Sequence, residues 1–169
     1  MIHFDTTFLD YPSPDDVAVI VYMSGCSHGC SGCQNPRLQE LHEEFDTEFS
    51  DKIINRIKDC CKRNETNKIV LSGGDPLHSC NRKLTQQICC LLGEELNYNI
   101  CIYTGFDIEA VKDMKVHGFT YIKCGKFDIR NTSKSEKTNE YIKFVNTTQN
   151  LFDKNYNQIS NNGVFYFNS

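Results

Sequence analysis

"DVAVIVYMSGCSHGCSGC", residues 16–33, runs from a continuous apolar segment straight into three cysteines. Its first half has strand length and many β-branched residues, the pattern of a strand buried on both faces of a parallel sheet. The second half poses a choice. Cys26, Cys30 and Cys33 stand at i, i+4 and i+7, which would align them on one helical face as small core residues. Gly25, Gly29 and Gly32 are interleaved with them, and each interior glycine costs a helix about 1 kcal/mol relative to alanine. A glycine-rich loop instead lets the backbone fold tightly, so that three thiolates converge on one point.

Outward from this stretch, helix and strand patterns alternate. Phe49, Ile53, Ile54, Ile57, Cys60 and Cys61 form a helical stripe within residues 47–64. "KIVLS" (68–72) is a short strand ending in "GGDP" (73–76), and Leu84, Ile88, Leu91, Leu92 and Leu96 mark a second helix. "NICIY" (99–103) ends in "TG", residues 107–115 predict a short helix, and "FTYIKC" (119–124) a fourth strand. This alternation predicts an α/β fold with a mainly parallel sheet. Asn162-Gly163 ahead of "VFYF" predicts a hairpin turn with a strand after it. In such sheets function gathers beyond the carboxyl ends of the strands, where the cysteine loop, "GGDP" and "TG" all fall.

Composition narrows the function classes. The 169 residues suit one domain, 1–169, and 39% hydrophobic with 24% charged residues is ordinary for a globular protein. A net charge of −4 argues against a nucleic-acid surface. No apolar run approaches the ~20 residues that span a bilayer. "MIHFDTTFLDYPSP" lacks the basic and apolar regions of a signal peptide, so a cytoplasmic location is expected. Ten cysteines then read as mostly reduced thiols, with a disulfide framework as the alternative. Cys60, Cys61, Cys89, Cys90 and Cys101 fit packing roles, and "KSEKTNE" (134–140) reads as a solvated connection.

Convergent thiolates bind zinc or iron–sulfur clusters. Structural zinc takes four ligands, and a fourth is not evident here. His28 lies within the loop, while His42 and Cys80 qualify only if the fold delivers them. A cubane held by three thiolates leaves one iron open, and the spacing favours that reading.

Cys26-x3-Cys30-x2-Cys33 resembles the signature of the radical S-adenosylmethionine (SAM) enzymes, and "GGDP" is similar to their glycine-rich motif. The order "SGCSHGCSGCQN … LSGGDPL … YTGF … CGKF" resembles the small activating proteins of anaerobic ribonucleoside-triphosphate reductases, from about residue 16 onward. That resemblance implies a partial β/α barrel, a [4Fe-4S] cluster on Cys26, Cys30 and Cys33, and SAM on its open iron. Gly73 and Gly74 would let the backbone approach the methionine moiety, so a bulky residue at 74 should weaken SAM binding while sparing the cluster. Asp75 would stay near the SAM ammonium or cap the next helix, Gly32 and Gln34 would meet the adenine, and Thr104 would add a contact. No catalytic side chain is implied beyond the cluster and SAM site.

The implied function is to generate a 5′-deoxyadenosyl radical and install a glycyl radical on the large subunit of an anaerobic ribonucleotide reductase, with an electron donor such as a flavodoxin. The alternatives are another compact radical SAM enzyme acting on a small molecule, such as the deazapurine-carboxylating type, and a non-catalytic metal-binding module. The chain departs from the family pattern at "YPSPDD" (11–16), Gln34, Cys124 and "NTTQN" (146–150).

Overall fold

Alternate residues of the apolar runs bury to opposite sides, so the central sheet is covered on both faces. In the computed structural model, which describes residues 1–14 and 17–167, the strands in chain order are β1 (Ile2–Thr7), β2 (Ala18–Met23), β3 (Lys68–Gly73), β4 (Asn99–Thr104), β5 (Tyr121–Cys124), β6 (Glu136–Lys137), β7 (Tyr141–Lys143), β8 (Asn150–Asp153) and β9 (Val164–Tyr166). Asp15 and Asp16, which end "YPSPDD" and begin the first apolar run, lie outside the described residues.

One six-stranded sheet has the order β1-β2-β3-β4-β5-β8. Strands β2 to β5 are parallel, while the edge strands β1 and β8 pair antiparallel with β2 and β5. The expected α/β class with a mainly parallel sheet is therefore present, as a mixed sheet with antiparallel edges. Neither edge strand was foreseen, because "IHFDTT" and "NLFD" are short and half polar.

Helices α1 (Thr47–Arg63), α2 (Ser79–Ile88) and α3 (Ile108–Met114) pack on one face. There Ile53, Ile54, Ile57, Leu84, Ile88 and Val111 meet Val19, Val21, Ile69, Leu71, Ile100, Ile102 and Ile122. Asp46 and Asp107 cap α1 and α3 by accepting from the Phe49 and Ala110 amides. On the opposite face Ala18, Ile20, Val70 and Cys101 pack with Tyr11, Ile142, Phe144 and Leu151. A small antiparallel sheet, β6-β7-β9, contributes to that layer. The "KSEKTNE" connection thus carries a two-residue strand. Asn162 and Gly163 both have positive φ, as a tight two-residue turn of the predicted kind requires.

The second predicted helix divides. After α2 the chain widens into a π-helical segment, Cys89–Glu95. Gly93 in that segment lies so close to the Gly118 carbonyl that a methyl group would overlap the oxygen. On a solvated helix, glycine to alanine gains about 1 kcal/mol. Here the sign reverses: Gly93→Ala is expected to cost about 1–3 kcal/mol, read as a lower urea midpoint with unchanged m-value.

Candidate functional site

The strand-to-helix loops of β2, β3 and β4 and the exit of β5 meet at one edge of the sheet. The first of them is not helical: Gly25, Gly29 and Gly32 all have positive φ, the left-handed region that glycine adopts without strain. Its base is closed by backbone bonds, with the Gly25 amide donating to the Leu38 carbonyl at 2.7 Å and the Cys26 amide to Gln39 at 3.4 Å. The loop of β3 is laced to it by the Asp75 amide, which donates to the Gly25 carbonyl at 2.8 Å.

Beneath these loops lies Asp75, whose side chain is fully buried. Its carboxylate accepts from the Leu77 amide at 2.8 Å, the Thr104 hydroxyl at 2.9 and 3.0 Å, the Gly105 amide at 2.9 Å and His28 Nε2 at 2.5 Å. Three loops therefore close on one carboxylate. Neither the expected helix cap nor an open ammonium receptor describes this group, since the cap of α2 is His78 and the oxygens are occupied within the protein. His28 donates from Nε2 to Asp75 and packs edge-on to Phe106, so one of its ring nitrogens is spent on holding the loops. Buried Asn81 adds a second clamp, donating to the Ser24 and Asp75 carbonyls at 2.9 Å each. Sequence reading missed Asn81, which carries no local signal. His28 sits inside the cysteine motif and was weighed only as a ligand.

Above Asp75 opens a cleft of about 240 Å³, lined among others by Cys26, Cys30, Cys33, Gln34, Gly73, Gly74 and Thr104. Gly32 is not in that lining; its Cα hydrogens face the Ile129 side chain. A larger hollow of about 600 Å³, lined by Lys58, Lys62, Glu65 and Tyr98, lies at the opposite edge and holds no motif residue. Among the described residues one trio of ligand atoms, on Cys90, Glu94 and His117, lies within 4.8 Å of one another, and that trio lines no part of the cleft. Metal–sulfur bonds of about 2.3 Å would put thiolates on a single tetrahedral ion about 3.8 Å apart. A polynuclear cluster instead takes each thiolate on its own iron, so three thiolates suffice to hold it. Burial pushes the Cys26 thiol up from its ordinary range, so ligation there releases a proton. Cys80 is buried behind the loop, its Sγ 3.1 Å from His78 Nδ1.

The glycines of "GGDP" serve a purpose the sequence did not disclose. A Cβ on Gly74 would lie 2.5 Å from the Leu38 carbonyl oxygen and 2.7 Å from that of Gly25. One on Gly73 would meet the Met23 backbone. The expectation that a bulky residue at 74 spares the cluster is therefore corrected: Gly74→Val should lower the iron content of reconstituted protein, because it pushes the cysteine loop away. Asp75→Ala leaves several buried donors without an acceptor and should cost about 3–5 kcal/mol in chemical denaturation of the metal-free protein. Asp75→Asn, which retains one oxygen, should cost less.

A family model described as a 4Fe-4S single cluster domain matches residues 16–151. An anaerobic ribonucleoside-triphosphate reductase-activating protein of Vibrio cholerae is 32% identical over 113 residues, 63% of this chain and 72% of that protein. Its namesake from Haemophilus influenzae is 30% identical over the same shares, and that of Salmonella typhimurium 43% over 97 residues, 54% of this chain and 60% of that protein. No solved structure matches the chain. A match across most of the chain, over the cysteine loop and all four parallel strands, carries the conclusion: this chain belongs to the 4Fe-4S single cluster domain family, together with the anaerobic ribonucleoside-triphosphate reductase-activating proteins.

Proposed function

We propose that this protein activates an anaerobic ribonucleoside-triphosphate reductase by installing a glycyl radical on its large subunit. The observation that carries the reading is the convergence of Cys26, Cys30 and Cys33 with Gly73, Gly74 and Thr104 on one cleft at the carboxyl edge of the parallel strands. A [4Fe-4S] cluster and SAM bound there would supply one-electron reduction and a 5′-deoxyadenosyl radical, and that radical chemistry is the cofactor's own.

The chain's residues hold and orient. Cys26, Cys30 and Cys33 ligate the cluster, leaving one iron without a protein ligand. Asp75 fixes the three loops, so the thiolates and the backbone at Gly73 and Gly74 keep one geometry when the cofactor enters. The Ser72–Gly74 backbone and Thr104 border the methionine end, and Gln34 borders the adenine, with Gly32 turning the chain behind it. Asp75 holds the Thr104 hydroxyl and the Leu77 and Gly105 amides in place beside the methionine end. The sheet, with helices on one face only, is read as the incomplete β/α barrel of a single domain whose open edge admits a peptide segment of the partner. A flavodoxin-like donor in the cytoplasm would supply the electron. No helix among the described residues is long and apolar enough to cross a membrane.

Replacing Cys26, Cys30 or Cys33 by alanine should abolish assembly of a four-iron cluster, while Cys60→Ala, Cys80→Ala and Cys89→Ala should keep it. Iron and sulfide analysis after anaerobic reconstitution decides this, and loss of iron in Cys80→Ala would refute three-cysteine ligation. The function itself is tested by electron paramagnetic resonance on reduced protein mixed with SAM and the cognate reductase. A glycyl doublet that disappears when the partner's C-terminal glycine is replaced is expected. Brisk SAM cleavage without that doublet would instead point to a small-molecule substrate.

A further inference from the structure

The inner face of the sheet carries a charged group that the activase reading leaves unused. Lys123 on β5 is only 6% exposed, yet it lines the same cleft as the three cysteines. In the strand register Tyr22 pairs with Ser72 and Tyr103 with Lys123, and all four border the cleft below the cysteine loop. The ammonium lies 3.8 Å from the centre of the Tyr103 ring and 4.8 Å from that of Phe144. Among the described residues no hydrogen-bond acceptor and no carboxylate holds it. Ring faces attract a cation but accept no directed N–H bond of full strength. Lys123 thus lines the cleft with its ammonium against ring faces and no directed acceptor bonded to it.

Two kinds of acceptor could arrive there. The cofactor is one: its sulfonium is itself a cation, but its carboxylate, ribose hydroxyls and adenine ring nitrogens all accept, so SAM affinity has to be read separately from the radical rate. The other is the partner. A target glycine has no side chain by which to be gripped, so recognition must act through the N–H and C=O of its peptide groups. A charged donor makes the stronger bond to a carbonyl.

We propose that Lys123 is a positioning residue for the partner, its ammonium donating to a backbone carbonyl of the segment that bears the target glycine; this rests on the activase reading above. Burial supports it by pulling the Lys123 amine down to about 8, so the group gains most from an incoming acceptor. The titratable groups facing it are Asp10, from the connection after β1, and Cys101 and Tyr103 on β4. From beyond β7 Phe144 offers only its ring.

The test uses reconstituted full-length protein with the cognate reductase, SAM, and a synthetic peptide spanning the reductase's C-terminal glycine segment. Lys123→Met should slow glycyl radical formation at least tenfold while equilibrium SAM affinity stays within twofold. Lys123→Gln, which keeps a neutral N–H donor, should recover part of the rate. In the wild-type protein, the 13Cε resonance of Lys123 should titrate at higher pH once the peptide is added. An unchanged radical rate in Lys123→Met, or a peptide that leaves the titration unmoved, overturns the proposal. A fall in SAM affinity matching the fall in rate also overturns it, by making Lys123 a cofactor ligand. Should the wild-type protein give no glycyl radical at all, the activase reading fails first and this inference with it.

Discussion

The buried carboxylate of Asp75 is the constraint on which the site depends. A carboxylate in the interior, away from any lysine or arginine, persists only where donors saturate both oxygens. Here the donors come from three different loops: His28 from the cysteine loop, Leu77 from its own, Thr104 and Gly105 from the exit of β4. Apart from one turn of 3-10 helix at Pro36–Leu38, the described residues of these loops have no regular structure to stiffen them. Their relative positions are set by one group that cannot move without leaving charge or donors uncompensated. A site that must present three thiolates and a cofactor-facing backbone in one geometry gains its order from that point.

Backbone proximity completes what Asp75 begins. Gly74 passes between the carbonyls of Gly25 and Leu38, where any side chain would collide. The cysteine loop and "GGDP" are therefore a single packed unit, stitched by the bonds from Asp75 to Gly25 and from Gly25 to Leu38. The two loops share one scaffold, and a change to either is felt in the other.

The two faces of the sheet divide the labour by strand alternation alone. Along β5, Ile122 and Cys124 turn to the helices, whereas Tyr121 and Lys123 turn to the inner layer. A shift of one residue in register would place Lys123 among the helices and Ile122 in the cleft. Cys124, ahead of "GKF", is buried on the helix side with its thiol pushed up to about 12 by desolvation. It brings no ionised group to the cleft at neutral pH.

The local rules of the chain were enough for the four parallel strands, the helices between them and the loop character of residues 24–35. Apolar runs, capping aspartates and interleaved glycines act within a few residues, and each is visible in sequence order. So was the gathering of Cys26, Cys30 and Cys33 in one glycine-rich loop, because their spacing and the glycines between them lie within a few residues. Contacts between distant segments were not legible. The second helix widens over Cys89–Glu95, where Gly93 packs on the Gly118 carbonyl, and the half-polar "IHFDTT" and "NLFD" become strands by pairing with the edges that β2 and β5 offer. By itself the sequence determined which groups the protein owns, down to three thiols, two adjacent glycines and an acid. Only the tertiary structure decided that the acid is spent on holding loops together, that Gly74 spaces backbone against backbone, and that a lysine from an apolar strand ends in the cleft. A side chain's partners are set by whatever packing brings within a few ångströms, which sequence distance does not encode.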